Sequence, residues 1–242
     1  LGLGGDINMS ANLIGIVGNA GSGKDTVGRI IQYHLCSKGT LSLEKILEDY
    51  ENHEWWLEDE SNWEIKKFAG KLKMIASILT GVPFEYFEKS EYKQKKLPDE
   101  WNIRVPYRGD SPWIGDEETC EIPMTVRQFL QKLGTEGLRD GLHKNVWVNA
   151  LFADFDEECN WIITDCRFLN EAEEIKRRGG ILLKIDRPTK IFSDSTYQHQ
   201  SETEMSKIVT DYQIVNEGSL QDLSDKVKEF LIKYEITAGV SR

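Results

Sequence analysis

The stretch Asn12-Leu-Ile-Gly-Ile-Val17, running into Gly18-Asn-Ala-Gly-Ser-Gly23-Lys24-Asp25-Thr26, carries the reading on which the fold depends. A short run rich in branched apolar side chains that ends at glycine predicts a buried strand. Beyond the loop, Val27, Ile30, Ile31 and Leu35 recur at near-helical spacing, and Gly39 supplies a stop after Lys38. The segment between them fits G-x-x-x-x-G-K, the P-loop, a motif whose meaning depends on this placement between a strand and a helix. Glycine is needed because backbone N–H groups must approach phosphate oxygens at dihedrals that side chains forbid, while the helix N-terminus adds positive potential. Gly18, Asn19, Ala20, Gly21, Ser22 and Gly23 are therefore candidate phosphate-cradling residues, with Lys24 placed to reach the β- and γ-phosphates of a nucleotide.

Working outward, the same alternation recurs. Residues 64–69 predict a second strand, and residues 72–79 show the apolar spacing of a helix that closes at Gly81-Val-Pro83. Three later apolar runs, 161–164, 181–185 and 212–215, each end in polar or turn residues, and helical patterns follow at 170–178 and 220–234. The pattern is that of an α/β protein, a parallel sheet flanked by helices. Residues 90–123 carry prolines and tryptophans with little periodicity and predict loops with one short helix, a lid or a substrate-covering insertion.

Composition narrows the class. The 242 residues carry 30 basic and 41 acidic side chains, a formal charge of −11, which argues against a protein held on duplex nucleic acid by phosphate neutralisation. That acidity is local: residues 44–64 hold nine acids against one lysine, a net −8. The segment predicts a solvated helical face whose tryptophans, Trp55, Trp56 and Trp63, pack inward. The apolar runs fall far below the roughly 20 residues that cross a bilayer, and Cys36, Cys120, Cys159 and Cys166 show no paired spacing, so a reducing cytoplasm is the expected compartment. Residues 1–8 read as a cloning remnant, with Met9 as the expected natural start and 9–242 as one domain.

Two further groups carry chemistry. Asp165 ends the predicted strand in Ile-Ile-Thr-Asp-Cys-Arg167, where P-loop enzymes commonly hold an acidic residue that positions Mg²⁺. Arg167, on the same sheet edge, suits a bidentate clamp on a transferring or acceptor phosphate. The alternative is an aspartate that caps the next helix beside a solvated arginine. Asp25 stands where a Ser or Thr commonly ligates Mg²⁺, so either its carboxylate binds the metal or Thr26 takes that role.

Several blocks then match a family in order: the Gly-Lys-Asp-Thr ending of the loop (Gly23 to Thr26), Phe68-Ala-Gly-Lys-Leu-Lys73, Val126-Arg-Gln-Phe-Leu-Gln-Lys-Leu-Gly-Thr-Glu136 with Trp147-Val-Asn-Ala-Leu151, Asp165-Cys-Arg167 with Asn170-Glu171, Arg187-Pro188 with His199-Gln-Ser-Glu202, and Asn216-Glu-Gly-Ser-Leu220. With these the sequence resembles the deoxynucleoside monophosphate kinases of tailed bacteriophages, within the P-loop kinases. The resemblance implies a P-loop kinase fold with an inserted acceptor-binding region at about 70–150 and a lid at about 187–205. It implies ATP and Mg²⁺ as cofactors, a dNMP acceptor as the small-molecule partner, and the cytoplasm of an infected host as the setting. Neither a stable nucleic-acid partner nor a membrane is expected, and a homodimer is allowed by the resemblance alone.

By the same resemblance Lys73, Arg127, Gln131 and Trp147 contact the acceptor together with Arg167, while Arg187 and Asn216 belong to the ATP side. Catalysis would rest on Lys24, Arg127 and Arg167, and the metal on Asp25, Thr26 and Asp165. The alternatives are a solvated helix face for Arg127 and Gln131 and plain core for Trp147. Two other functions stay open: a P-loop kinase for another small phosphate, such as a phosphomevalonate-like acceptor, and a nucleotide-binding ATPase or switch that acts on a macromolecular partner.

Overall fold

The computed structural model describes residues 12–36, 42–106, 119–156, 158, 160–188 and 204–238. Residues 1–11, Gly39, Cys159 and the lid block His199 to Glu202 lie outside the described residues, as does most of the expected lid. Among the described residues, no helix is long and apolar enough to cross a membrane. The chain divides into two compact units, residues 69–150 and the remainder.

The larger unit is built on a five-stranded sheet of β1 (Leu13–Val17), β2 (Glu64–Lys66), β5 (Trp161–Cys166), β6 (Ile181–Asp186) and β7 (Tyr212–Val215), in the order β2-β5-β1-β6-β7. Every pairing is parallel. Burial follows position in the sheet. All five residues of central β1 are buried, β5 and β6 nearly so, whereas edge strands β2 and β7 are mostly half-exposed. A strand covered on both faces must be apolar throughout, which is why Leu-Ile-Gly-Ile-Val shows no alternation. Each Leu, Ile or Val side chain buried there contributes about 2 kcal/mol.

Helices α1 (Lys24–Leu35), α8 (Leu169–Arg177) and α9 (Leu220–Lys233) follow β1, β5 and β7. Gly28 lets α1 lie close on the sheet, since a Cβ there would meet Thr164 Cγ2 at 2.8 Å. Ser219 caps α9, accepting from the Asp222 amide while the Asp222 carboxylate accepts from its own N–H. From β1 the chain crosses to one side of the sheet for β2 and later to the other for β6, so the carboxyl end of β1 lies at a topological switch point, the usual place for ligands in open α/β sheets.

The acidic segment forms α2 (Leu43–Glu48) and α3 (Tyr50–Ser61). Leu43 and Trp63 join the central core, and Ile46, Tyr50 and Leu57 form a second cluster beside it. Buried Gln32 of α1 donates to the Trp63 carbonyl (2.7 Å) and accepts from the Tyr50 hydroxyl (3.0 Å). The expectation that the tryptophans pack inward needs correction at Trp55, which is 70 % exposed, while Trp63 is 1 % exposed. Trp55 lies two residues from inward-facing Leu57, about 200° around the helix, so the two cannot share a face.

The smaller unit holds most of α4 (Phe68–Thr80), α5 (Phe84–Glu88), an antiparallel pair β3 (Ile103–Pro106) and β4 (Thr119–Ile122), α6 (Val126–Gln131), a π-helical segment Lys132–Asp140 and most of α7 (Val146–Phe152). Ala76, Phe87, Leu97, Val126 and Phe129 form its core. Two expectations change here. Strand β2 stops at Lys66 and α4 begins at Phe68, because the Phe68 amide goes to a side chain and not to a ladder partner. Residues 90–123 contain two 3₁₀ turns and a strand pair in place of loops with one short helix, and Arg104 and Glu121, directly opposite, form an ion pair at 3.1 Å. The block 126–136 is not one uniform helix: it widens after Gln131.

Candidate active site

The loop after β1 takes the shape the glycines allow. Gly21 and Gly23 have φ of 76° and 99°, in the left-handed region. Gly18 has no room for a side chain, because a Cβ would lie 2.4 Å from the Ile185 carbonyl oxygen and 2.7 Å from Ser22 Oγ. The Asn216 amide fills the space that Gly23 leaves open and donates to the Ser22 carbonyl at 2.9 Å. The turn after β7 thus clamps the loop after β1. Arg187, exposed after β6, reaches the Gly21 carbonyl at 3.5 Å.

Lys24, 8 % exposed, folds back over this loop and donates to the carbonyls of Gly18 (2.6 Å) and Asn19 (2.7 Å). Burial and then the neighbouring Arg167 charge lower its pKa to about 8, against the opposing pull of Asp25 and Asp165. Asp25, Asp165 and Arg167 therefore each lie within electrostatic reach of Lys24 near the carboxyl ends of β1 and β5. Ser22 Oγ is buried without a hydrogen-bond partner. A buried hydroxyl with no protein partner inside a glycine-built cradle fits an anionic ligand.

Asp25 Oδ1 accepts from Thr164 Oγ1 (2.7 Å) and lies 3.2 Å from Lys67 Nζ. Burial pushes its carboxyl up, but Lys67, the Thr164 hydroxyl and Arg29 outweigh this and hold it below the usual carboxylate range. Asp165 Oδ1 accepts the Phe68 amide at 2.8 Å. Gly15 pairs with Ile163 and Val17 with Cys166, so β5 carries one extra residue at Thr164-Asp165. Such a bulge re-aims side chains, and here it serves both acidic groups. Arg167 is exposed, and its backbone N–H and that of Phe168 donate to Glu171 Oε2, so Glu171 and not Asp165 satisfies the start of α8.

The larger unit accordingly brings together residues 18–26, Asp165, Arg167, Arg187 and Asn216. The smaller unit holds the other four. Lys73 Nζ pairs with Glu88 at 2.8 Å, and Arg127 and Gln131 are exposed on α6. Trp147 is buried, its Nε1 donating to the Gly134 carbonyl at 2.9 Å. A Cβ on Gly134 would meet Leu72 at 2.7 Å, so Trp147 anchors the π-helical segment where it packs closest on α4.

A sequence profile described as deoxynucleotide monophosphate kinase matches residues 111–227. A protein of Acanthamoeba polyphaga mimivirus assigned as a deoxynucleotide monophosphate kinase is 31 % identical over 230 residues, 89 % of this chain and 93 % of the relative. The chain belongs to the deoxynucleotide monophosphate kinase family. A deoxynucleotide monophosphate kinase of Escherichia phage RB69 is also similar, 28 % identical over 116 residues, 44 % of this chain and 45 % of that one.

In this kinase three contributors at the acidic pair were not singled out from sequence: the Thr164 hydroxyl, the Lys67 ammonium and the Phe68 amide. Lys67 is one of many lysines, and no spacing rule ties it to Asp25.

Proposed function

We propose that this kinase transfers the γ-phosphoryl group of ATP to a deoxynucleoside monophosphate with Mg²⁺. Membership of the family fixes the reaction class as phosphoryl transfer to deoxynucleotide monophosphates. The observation that carries the donor assignment is the loop itself: two left-handed glycines, a glycine with no room for a Cβ, and a buried lysine that donates to loop carbonyls. An ammonium held in this way is ready to exchange carbonyl oxygens for phosphate oxygens.

Phosphoryl transfer asks little covalent work of a protein, so position and charge dominate. The loop amides and Lys24 hold the triphosphate. Arg167 lies exposed within electrostatic reach of Lys24 and supplies a planar donor pair for the transferring or acceptor phosphate. Arg187 and Asn216 steady the donor side, the first from an exposed position and the second through the loop. Asp25, Thr26 and Asp165 offer the hard oxygen donors that Mg²⁺ takes, and the two carboxylates fit its usual mode of one or two protein ligands completed by waters and phosphate. When bound there, Mg²⁺ would supply charge neutralisation to the triphosphate.

Lys73, Arg127 and Gln131 are assigned to the acceptor through the family resemblance. Trp147 supports the same segment by holding Gly134. Coupled ADP release, measured with ATP and Mg²⁺ against a panel of dNMPs, rNMPs and phosphomevalonate, tests the reading. Turnover confined to one or more dNMPs, lost by orders of magnitude in Lys24→Met and Arg167→Ala, is the expected result. Acceptor-independent hydrolysis, or near-normal turnover in either variant, would overturn it.

A further inference from the structure

A carboxylate beside a triphosphate is an electrostatic liability. Two like charges about 4 Å apart repel by roughly 1 kcal/mol in water and several times that near a protein surface, so Asp25 next to Lys24 would oppose the ligand the loop is shaped to hold. Something must offset it before metal arrives. The contacts show what does. Lys67 Nζ lies 3.2 Å from Asp25 Oδ1, and Thr164 Oγ1 donates to the same oxygen at 2.7 Å. Lys67 is also the residue before Phe68, whose amide donates to Asp165 Oδ1 at 2.8 Å. Lys67, between β2 and α4, and Phe68, which opens α4, therefore hold the two acidic groups of the site, one through a side chain and one through the backbone. Thr164 and Asp165, consecutive on the bulged strand β5, meet them from the other side.

We propose that Lys67 is a positioning residue for Asp25: it neutralises and orients the carboxylate so that the loop accepts a triphosphate despite an acid where a hydroxyl commonly stands. This rests on the assignment of the loop as the ATP site. Lys67 acts through Asp25 and not on the phosphates, so its contribution exists only while residue 25 is charged. With Lys24, Asp25, Arg29, Lys67, Asp165 and Arg167 all ionised, these groups carry a net +2, and removal of Lys67 brings it to +1.

The test is a four-way comparison of ATP affinity in excess EDTA, by calorimetry on the full chain, for the parent, Lys67→Met, Asp25→Asn and the double variant. Lys67→Met should weaken ATP binding by at least tenfold, whereas the double variant should lie within threefold of Asp25→Asn. Lys67→Arg, which keeps the charge, should stay within threefold of the parent. Thermal midpoints recorded alongside separate affinity from folding. Should Lys67→Met not fold, loss of affinity in Lys67→Gln and its rescue by Asp25→Asn serve as the readout. Equal weakening in both backgrounds, or parent-like binding by Lys67→Met, would overturn the proposal and leave the ATP assignment standing. A parent chain that binds no ATP would overturn both.

Discussion

Binding of ATP should draw a proton onto Lys24. Burial and the Arg167 charge leave the unliganded ammonium with a pKa of about 8, against 10.5 for an unperturbed lysine. Phosphate oxygens beside it reverse the imbalance and return the group to its charged form. With a pKa near 8 when free and the ammonium kept charged by phosphate when bound, uptake is about 0.1 proton at pH 7, about 0.5 at pH 8 and about 0.9 at pH 9. ATP is fully ionised above pH 8, so the protein is the source of the change. The apparent affinity falls by about tenfold between pH 7 and pH 9 on the same arithmetic.

Calorimetry at pH 8 in two buffers of different ionisation enthalpy reads the uptake directly, and Lys24→Met supplies the blank. The sign for stability follows from the same shift. Because the folded pKa lies below the unfolded one, folding disfavours the charged form. The penalty, about 3 kcal/mol, is fully present below pH 8 and is relieved as pH rises toward 10.5. Unliganded Lys24→Met should therefore be the more stable protein at pH 7 by an amount of that order, with the difference closing by pH 10.5. Binding without proton uptake at pH 8, together with a Lys24→Met variant no more stable than the parent, would refute the electrostatic account of the loop.

Four further outcomes can be checked. Gly18→Ala forces a Cβ to within 2.4 Å of the Ile185 carbonyl oxygen, so chemical denaturation should show a loss of about 2 kcal/mol and titration a loss of ATP affinity of at least tenfold. Gln32→Leu strands the Tyr50 hydroxyl and the Trp63 carbonyl and should destabilise by about 3 kcal/mol in the same measurement. Trp147→Phe removes the donor to Gly134 and should cost about 1–2 kcal/mol with the acceptor KM unchanged, whereas a KM raised more than about fivefold would place the ring beside the base. Glu88→Gln releases Lys73 from its ion pair, so steady-state kinetics should show a dNMP KM lower by about two- to fivefold, and an unchanged KM would remove Lys73 from the acceptor site.

The three inner strands of the sheet were legible because a strand buried on both faces must be largely apolar, and Leu13 to Val17, Trp161 to Ile163 and Ile181 to Leu183 are such runs. The loop was legible because glycine and lysine spacing encodes dihedrals and charge at fixed positions. What lay beyond reading depends on contacts between residues far apart in sequence. The Lys67–Asp25 and Thr164–Asp25 contacts join residues separated by dozens of positions, and the bulge that aims Thr164 and Asp165 is visible only in the register with β1. Trp55 and Trp63 are alike in composition, and their opposite fates follow from helix phase and from a partner carbonyl at Thr237. The widening after Gln131 left no mark in apolar spacing.

By charge alone, the segment of residues 42–62 reads as a solvated surface layer. Its anchoring says otherwise. Gln32, buried in the helix that begins with Lys24, has both ends of its amide taken by this segment and the residue that follows it, and Leu43 lies in the core that β1 also builds. Excising residues 42–62 would leave the outer face of α1 bare and its one buried amide half unsatisfied. The segment is therefore part of the foundation on which the phosphate loop's helix rests, and its charged outer surface tolerates substitution far better than the fold tolerates its removal.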